Sequence, residues 1–95
     1  MKKYDFTFEK KGKMVYISHL DVMMLFRRAV RRAAVPFVLT KGFSPRVKIS
    51  IPKALKLGVE SSNEEMSLWL NDEMARDEVM RLINMELPKE IKILN

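Results

Sequence analysis

The sequence predicts an α+β fold in which two helices pack on one face of an antiparallel sheet. Three observations lead there. Apolar and polar residues alternate in several short runs, the pattern of strands with one buried face. Two longer stretches carry apolar residues at helical spacing. These stretches succeed one another as β-α-β-(β)-β-α-β, and 95 residues suffice for one core but not for two.

In residues 4–9, Tyr4, Phe6 and Phe8 alternate with Asp5, Thr7 and Glu9, which predicts a half-buried strand. Lys10–Lys13 reads as a polar turn. Met14–Ile17 returns to strand character, so the first strand region is either long and bulged or a hairpin. Ser18 is a helix N-cap residue, and Asp21, three positions on, is a capping-box-like partner at the positive helix end. The helix runs to about Ala34, because Pro36 disfavours helical backbone at Val35. At about 100° per residue, Val22, Phe26, Ala29, Val30 and Ala33 fall on one face and Arg27, Arg28, Arg31 and Arg32 on another.

Phe37–Thr40 reads as a short strand. Lys41–Arg46 is a loop broken by Gly42 and Pro45, and Val47–Ile51 is a further strand or extended segment that Pro52 stops. Residues 53–63 connect it to a strand over Glu65–Leu70. Asn71 or Asp72 caps a second helix over about 73–86, Pro88 ends it, and Ile91, Ile93 and Leu94 form the last strand. The simplest architecture with this order is ferredoxin-like, β-α-β-β-α-β. In its split βαβ unit the first two strands are parallel, which places the Ser18–Asp21 helix start beside the Lys41–Arg46 loop.

The formal net charge is +6, and its distribution is uneven. Residues 1–56 carry 14 Lys and Arg against 3 Asp and Glu, a net of +11. Residues 57–95 carry 4 against 9, a net of −5. Such asymmetry predicts one basic face offered to a polyanion. There is no cysteine, which removes disulfides, thiolate metal sites and cysteine nucleophiles together. No stretch approaches the roughly 18 apolar residues that span a bilayer, and the N-terminus lacks a signal-peptide apolar run, so a cytoplasmic protein without membrane contact is expected. No phosphate-binding loop, dinucleotide fingerprint or His/Cys metal cluster is present, and no cofactor is expected. No nucleophile is recognisable beside a base. The eight methionines fall largely on apolar positions and are expected to fill the core.

The candidate site residues form three groups. The arginine face offers guanidinium groups that bind phosphate bidentately; the bland alternative is a solvated face neutralised by Asp21 and by acids of the second half. His19, the only histidine, sits with Ser18 at a helix start, where it can contact an anion, act as a general acid or base, or simply pack at the core edge. In the loop, Gly42 can supply positive φ, Phe43 can stack on a base, and Lys41 and Arg46 can hold phosphate; the alternative is a hairpin turn with Phe43 tucked inward. Glu60, in the long connection, is within reach of the first helix as an ion-pair partner for one of its arginines.

Five separated motifs carry a resemblance. Ile17-Ser18-His19-Leu20-Asp21, Arg27-Arg28-Ala29-Val30-Arg31-Arg32-Ala33, Val35-Pro36, Thr40-Lys41-Gly42-Phe43-Ser44-Pro45-Arg46 and Leu57-Gly58-Val59-Glu60-Ser61 resemble, in order and spacing, the bacterial radical-SAM-linked domain of unknown function DUF2344. The resemblance spans about residues 10–70. It implies an accessory domain acting with a radical SAM protein, on an RNA or a ribosome-related substrate. The family domain is usually longer, so the resemblance also implies that this chain is the N-terminal part of one. The family's motif positions fall on Ser18, His19, Asp21, Arg28, Arg32, Gly42, Phe43, Pro45, Arg46, Gly58 and Glu60. No activity comes with them.

Three functions fit these features. The leading one is an RNA-binding or substrate-presenting module that serves a radical SAM partner and has no catalysis of its own. The second is a metal-independent ribonuclease-like enzyme using His19, which rests on fold analogy. The third is a protein-interaction domain whose basic half docks on the radical SAM partner.

Overall fold

The computed structural model describes all 95 residues. Strand β1 (Lys2–Lys10) leads through a short 3-10 helix (Gly12–Tyr16) into helix α1 (His19–Arg32). Strands β2 (Ile49–Ser50) and β3 (Ser61–Leu70), helix α2 (Arg76–Asn84) and strand β4 (Ile91–Ile93) complete the chain. The sheet order is β2-β3-β1-β4, and β1 pairs antiparallel with β3 and β4, as does β2 with β3. Strands β1 and β2 are therefore parallel with β3 between them. That is the split βαβ of the expected ferredoxin-like arrangement.

Period-two alternation builds the core. Tyr4, Phe6 and Phe8 of β1 and Met66, Leu68 and Leu70 of β3 all point to the helices. They meet Val22, Phe26, Ala29 and Val30 of α1 and Val79 and Ile83 of α2. The same alternation carries Lys10 inward. It is 1 % exposed, and its ammonium donates to the Lys56 carbonyl at 3.0 Å. The expectation of a polar turn beginning at Lys10 is thus corrected: the strand keeps its period for one more residue.

Three further expectations are corrected. Residues 14–17 do not continue a strand. Both edges of β1 are already occupied, by β3 and β4, so Gly12, at φ 60°, turns the chain into the 3-10 helix that buries Val15. Helix α2 begins later than expected. Asn71 is engaged elsewhere, donating from its amide to the Phe37 carbonyl at 3.0 Å. The Tyr4 hydroxyl binds both the Met74 N–H and the Met74 carbonyl at 2.7 Å, and so holds that residue outside the helix. The helix starts at an Ala75 cap with no side-chain bond.

The third correction decides where the site lies. Residues 37–40 are not a complete strand. Val38 N–H donates to the Trp69 carbonyl at 3.1 Å, and Trp69 N–H donates to the Lys48 carbonyl at 3.4 Å. One edge strand thus starts at Phe37–Val38, is interrupted, and resumes at Lys48–Ser50. The interruption is a hairpin, closed by the Leu39–Val47 pairing and by Thr40 N–H on the Arg46 carbonyl at 2.7 Å. The hairpin projects from the middle of the edge strand. The segment beyond the end of that strand, which lies beside the α1 start, is therefore Pro52–Lys56 and not Lys41–Arg46.

Helix α1 ends on Ala33, and the next residue, Ala34, has a φ of 58°. This left-handed position is usually glycine, because a Cβ there costs roughly 1–2 kcal/mol. Ala34→Gly is expected to stabilise the fold by about 0.5–1 kcal/mol, after the added freedom of glycine in the unfolded chain is subtracted. Urea unfolding checks this, and a lowered midpoint would count against strain at Ala34.

Candidate nucleic-acid interface

Helix α1 positions the basic residues. The Ser18 hydroxyl caps it by accepting from Asp21 N–H at 3.1 Å. With Val22, Phe26, Ala29 and Val30 fixed in the core, Arg28, Arg31 and Arg32 must face outward, and all three are exposed. Arg27 lies at the boundary. Its Nε donates to the Val47 carbonyl at 3.3 Å, which ties the helix to the base of the hairpin. Burial of the Arg27 guanidinium, helped by the nearby charge of Arg46, lowers its pKa from the ordinary arginine value, and it remains charged at neutral pH.

The hairpin brings Arg46 to this face. Met24, Arg27, Arg28, Arg31, Pro45, Arg46 and Val47 line an open cleft of about 360 Å³. The Arg31 guanidinium lies 5.3 Å from the centroid of Phe37, a cation–π contact of about 0.5–1 kcal/mol at an exposed site. The ion pairs of the structure are Lys2–Glu73, Lys3–Asp5, Lys11–Glu9 and Arg81–Glu78. None involves an arginine of the cleft. Arg28 and Arg31 stand in solvent with no acid paired to them, and the expected pairing of Glu60 with α1 does not form. Glu60 instead accepts from Gly12 N–H at 3.0 Å.

Beyond the cleft, the hairpin tip carries Lys41, Gly42 and Phe43. Gly42 has φ 126° with open space around it, as its place in the turn predicts. Phe43 is fully exposed, so the tucked-in alternative does not hold. An apolar ring held out in water on a basic hairpin is free to stack on a ligand.

His19 is elsewhere. Its Nδ1 accepts from Leu55 N–H at 3.3 Å, which pins the Pro52–Lys56 segment to the helix start. Along the helix it lies about 12 Å from Arg27, at 1.5 Å per residue. The structure thus joins Arg27, Arg28, Arg31 and Arg46, adds the hairpin residues, and leaves Ser18 and His19 at the other end of α1 and Arg32 outside the cleft lining. Met24 was missed: five methionines lie in or against the core, but Met24 is exposed and lines the cleft. Its spacing from Leu20, four residues back and also exposed, was the available signal. No group of three His, Asp or Glu residues is placed to hold a metal ion, and no helix is long and apolar enough to cross a membrane.

A protein-family model described as an uncharacterized protein conserved in bacteria, DUF2344, matches residues 3–95. The chain belongs to DUF2344. This extends the resemblance read from residues 10–70 over nearly the whole sequence, including β1, α2 and β4. No curated protein and no solved structure matches the chain. Of the segments that carried the resemblance, those around Arg27–Ala33 and Thr40–Arg46, 20 or fewer residues apart in sequence, are the two that this fold assembles into the cleft. The motif around Ser18 instead faces the segment just before the one around Gly58. Gly58, at φ 79°, donates its N–H to the Val15 carbonyl at 2.7 Å. That motif therefore has a folding role: it fastens the long connection to the 3-10 helix.

Proposed function

We propose that the domain is an RNA-binding module that presents its ligand to a radical SAM partner and performs no catalysis alone. The single observation that supports the RNA reading is the convergence of Arg27, Arg28, Arg31 and Arg46 on one cleft without an acidic partner. The charge of Arg46 already bears on Arg27, and like charges gathered on one cleft favour a polyanion as ligand. Guanidinium groups match phosphate oxygens in pairs, and Phe43 supplies a ring for an unpaired base. The radical SAM partner comes from the family resemblance. Cleavage through His19 draws no support from the geometry, because that ring lies at the opposite end of α1 and is engaged with Leu55.

Fluorescence anisotropy of a labelled single-stranded RNA, titrated with the domain at low and high salt, tests the reading. Binding is expected to weaken steeply with salt, since release of counterions from phosphates drives it. Absence of binding even at low salt would sink it. The basic half would then be a docking surface for an acidic face of the radical SAM protein.

A further inference from the structure

The face of the sheet turned away from the helices holds one residue that neither core packing nor the cleft explains. Trp69, the chain's only tryptophan, alternates outward between the buried Leu68 and Leu70. It belongs to no part of the hydrophobic core, and its indole N–H has no hydrogen-bond partner in the protein. Its cross-strand neighbours are lysines. Lys3 is opposite it in the register of β1 and β3, with its ammonium 5.6 Å from the ring centroid. Lys48, on the β2 edge, places its ammonium 5.0 Å away. A large aromatic on a solvent-facing strand usually packs on an apolar neighbour; here two cations flank it instead.

The rest of this face is graded. The next row across the strands is Asp5, Ser67 and Ser50. Ser67 donates to Asp5 at 2.6 Å, and this bond keeps the Asp5 carboxyl below the usual carboxylate range. The row beyond it holds Thr7 and Glu65. Lys3 also pairs with Asp5, at 3.7 Å, so Lys48 is the cation of the Trp69 row that has no acidic partner and is free to meet a phosphate. The Trp69 row is linked to the cleft through the hairpin. The hairpin that carries Phe43 and Arg46 springs from residues bonded to the Trp69 backbone, Val38 on its carbonyl and Lys48 on its N–H. One edge strand separates the two basic surfaces.

We propose that Trp69 is a base-stacking platform for single-stranded RNA, reached by a strand that leaves the arginine cleft around the β2 edge. The proposal rests on the reading of the cleft as a phosphate site and adds the substrate class: an unpaired strand, because only an unpaired base can lie on an indole. Lys3 and Lys48 cover the ring in the free protein. When the strand arrives, their flexible stems let the ammonium groups move onto its phosphates and free the ring for a base.

The test uses Trp69 as its own probe. Indole emission and the anisotropy of a labelled strand of about 10 nucleotides, within the footprint range of single-domain binders, are recorded in one titration at low salt. Emission is expected to be quenched in step with binding. Trp69→Ala is expected to weaken binding about tenfold, and Trp69→Phe to restore most of it. The thermal midpoint of Trp69→Ala should fall only slightly, because the ring is outside the core and a cross-strand pair contributes about 0.2–1 kcal/mol. An abasic strand of equal length is expected to bind more weakly and to leave the emission unchanged. Binding with unchanged emission and with undiminished affinity in Trp69→Ala overturns the platform and leaves the phosphate cleft standing. Equal quenching by duplex RNA or by polyglutamate also overturns it, the latter assigning the face to an acidic protein. No binding of any strand removes both readings.

Discussion

A variant with Arg27, Arg28, Arg31 and Arg46 all changed to Ala is expected to lose almost all affinity for single-stranded RNA at physiological salt while remaining folded. Each phosphate contact with a single strand contributes about 0.7 to the slope of log affinity against log salt. Removing four contacts should flatten that slope by about 3. Arg32→Ala is the control on the same helix: Arg32 is exposed but does not line the cleft, so its slope should change little. Replacing all four by Lys separates charge from shape. Lysine keeps the point charge and loses the paired N–H fork, so the salt slope should survive while affinity falls.

The same variant bears on stability. Arg27 and Arg31, like Arg28 and Arg32, are like charges one helical turn apart, which destabilise a helix by a few tenths of a kcal/mol per pair. Arg27 also lies close enough to Arg46 for that charge to lower its pKa. Alanine is the better helix former as well. Against this stand the Arg27 bond to the Val47 carbonyl and the exposed contact of Arg31 with the Phe37 ring, which contributes about 0.5–1 kcal/mol. The thermal midpoint of the alanine variant should therefore hold or rise. A large fall would mean that the arginines serve the fold, and the loss of RNA binding would then say nothing about a site.

Most of the fold was legible because its signals are periodic. Tyr4-Phe6-Phe8 and Met66-Leu68-Leu70 announced two strands, and the apolar stripe announced α1, with Val22, Phe26, Ala29 and Val30 buried and Ala33 half-buried at its C-cap. The errors came where a local pattern competed with a tertiary one. Met14–Ile17 has strand composition but no free strand edge to join. Asn71 is a good cap, but the Phe37 carbonyl claims it, and nothing near it in sequence reveals that. The candidate site was half legible. Arginines on one face of a helix can be read from spacing alone. Their convergence with Arg46 cannot, because it depends on the edge strand resuming at Lys48 after the hairpin. The same resumption moved His19 away from the loop it was expected to meet. Trp69 was visible only as the polar-side partner in an alternating run. Its flanking lysines come from positions 66 residues before it and 21 before it, which only the sheet register brings together.

Phe26→Ala is expected to be the most damaging single substitution to the fold, costing about 3–5 kcal/mol. Phe26 is fully buried and meets Phe8 edge to face, with centroids 4.9 Å apart and planes at 68°. This contact fastens α1 to β1, one of the two inner strands of the sheet. A domain of this size has a total stability of about 5–15 kcal/mol, so the variant should be partly unfolded near 37 °C. Phe26→Leu keeps most of the volume and should cost less than half as much in urea unfolding. The comparison is informative because Phe26 points into the core while Arg27, the next residue, lies at its boundary beside the cleft. At low temperature, where Phe26→Leu is folded, its RNA affinity should equal that of the unaltered domain. Arg28→Ala should do the reverse, leaving the urea midpoint in place and reducing affinity. If Phe26→Leu instead loses affinity while folded, the cleft depends on how α1 is seated, and the arginines must be read as parts of one surface set by that docking.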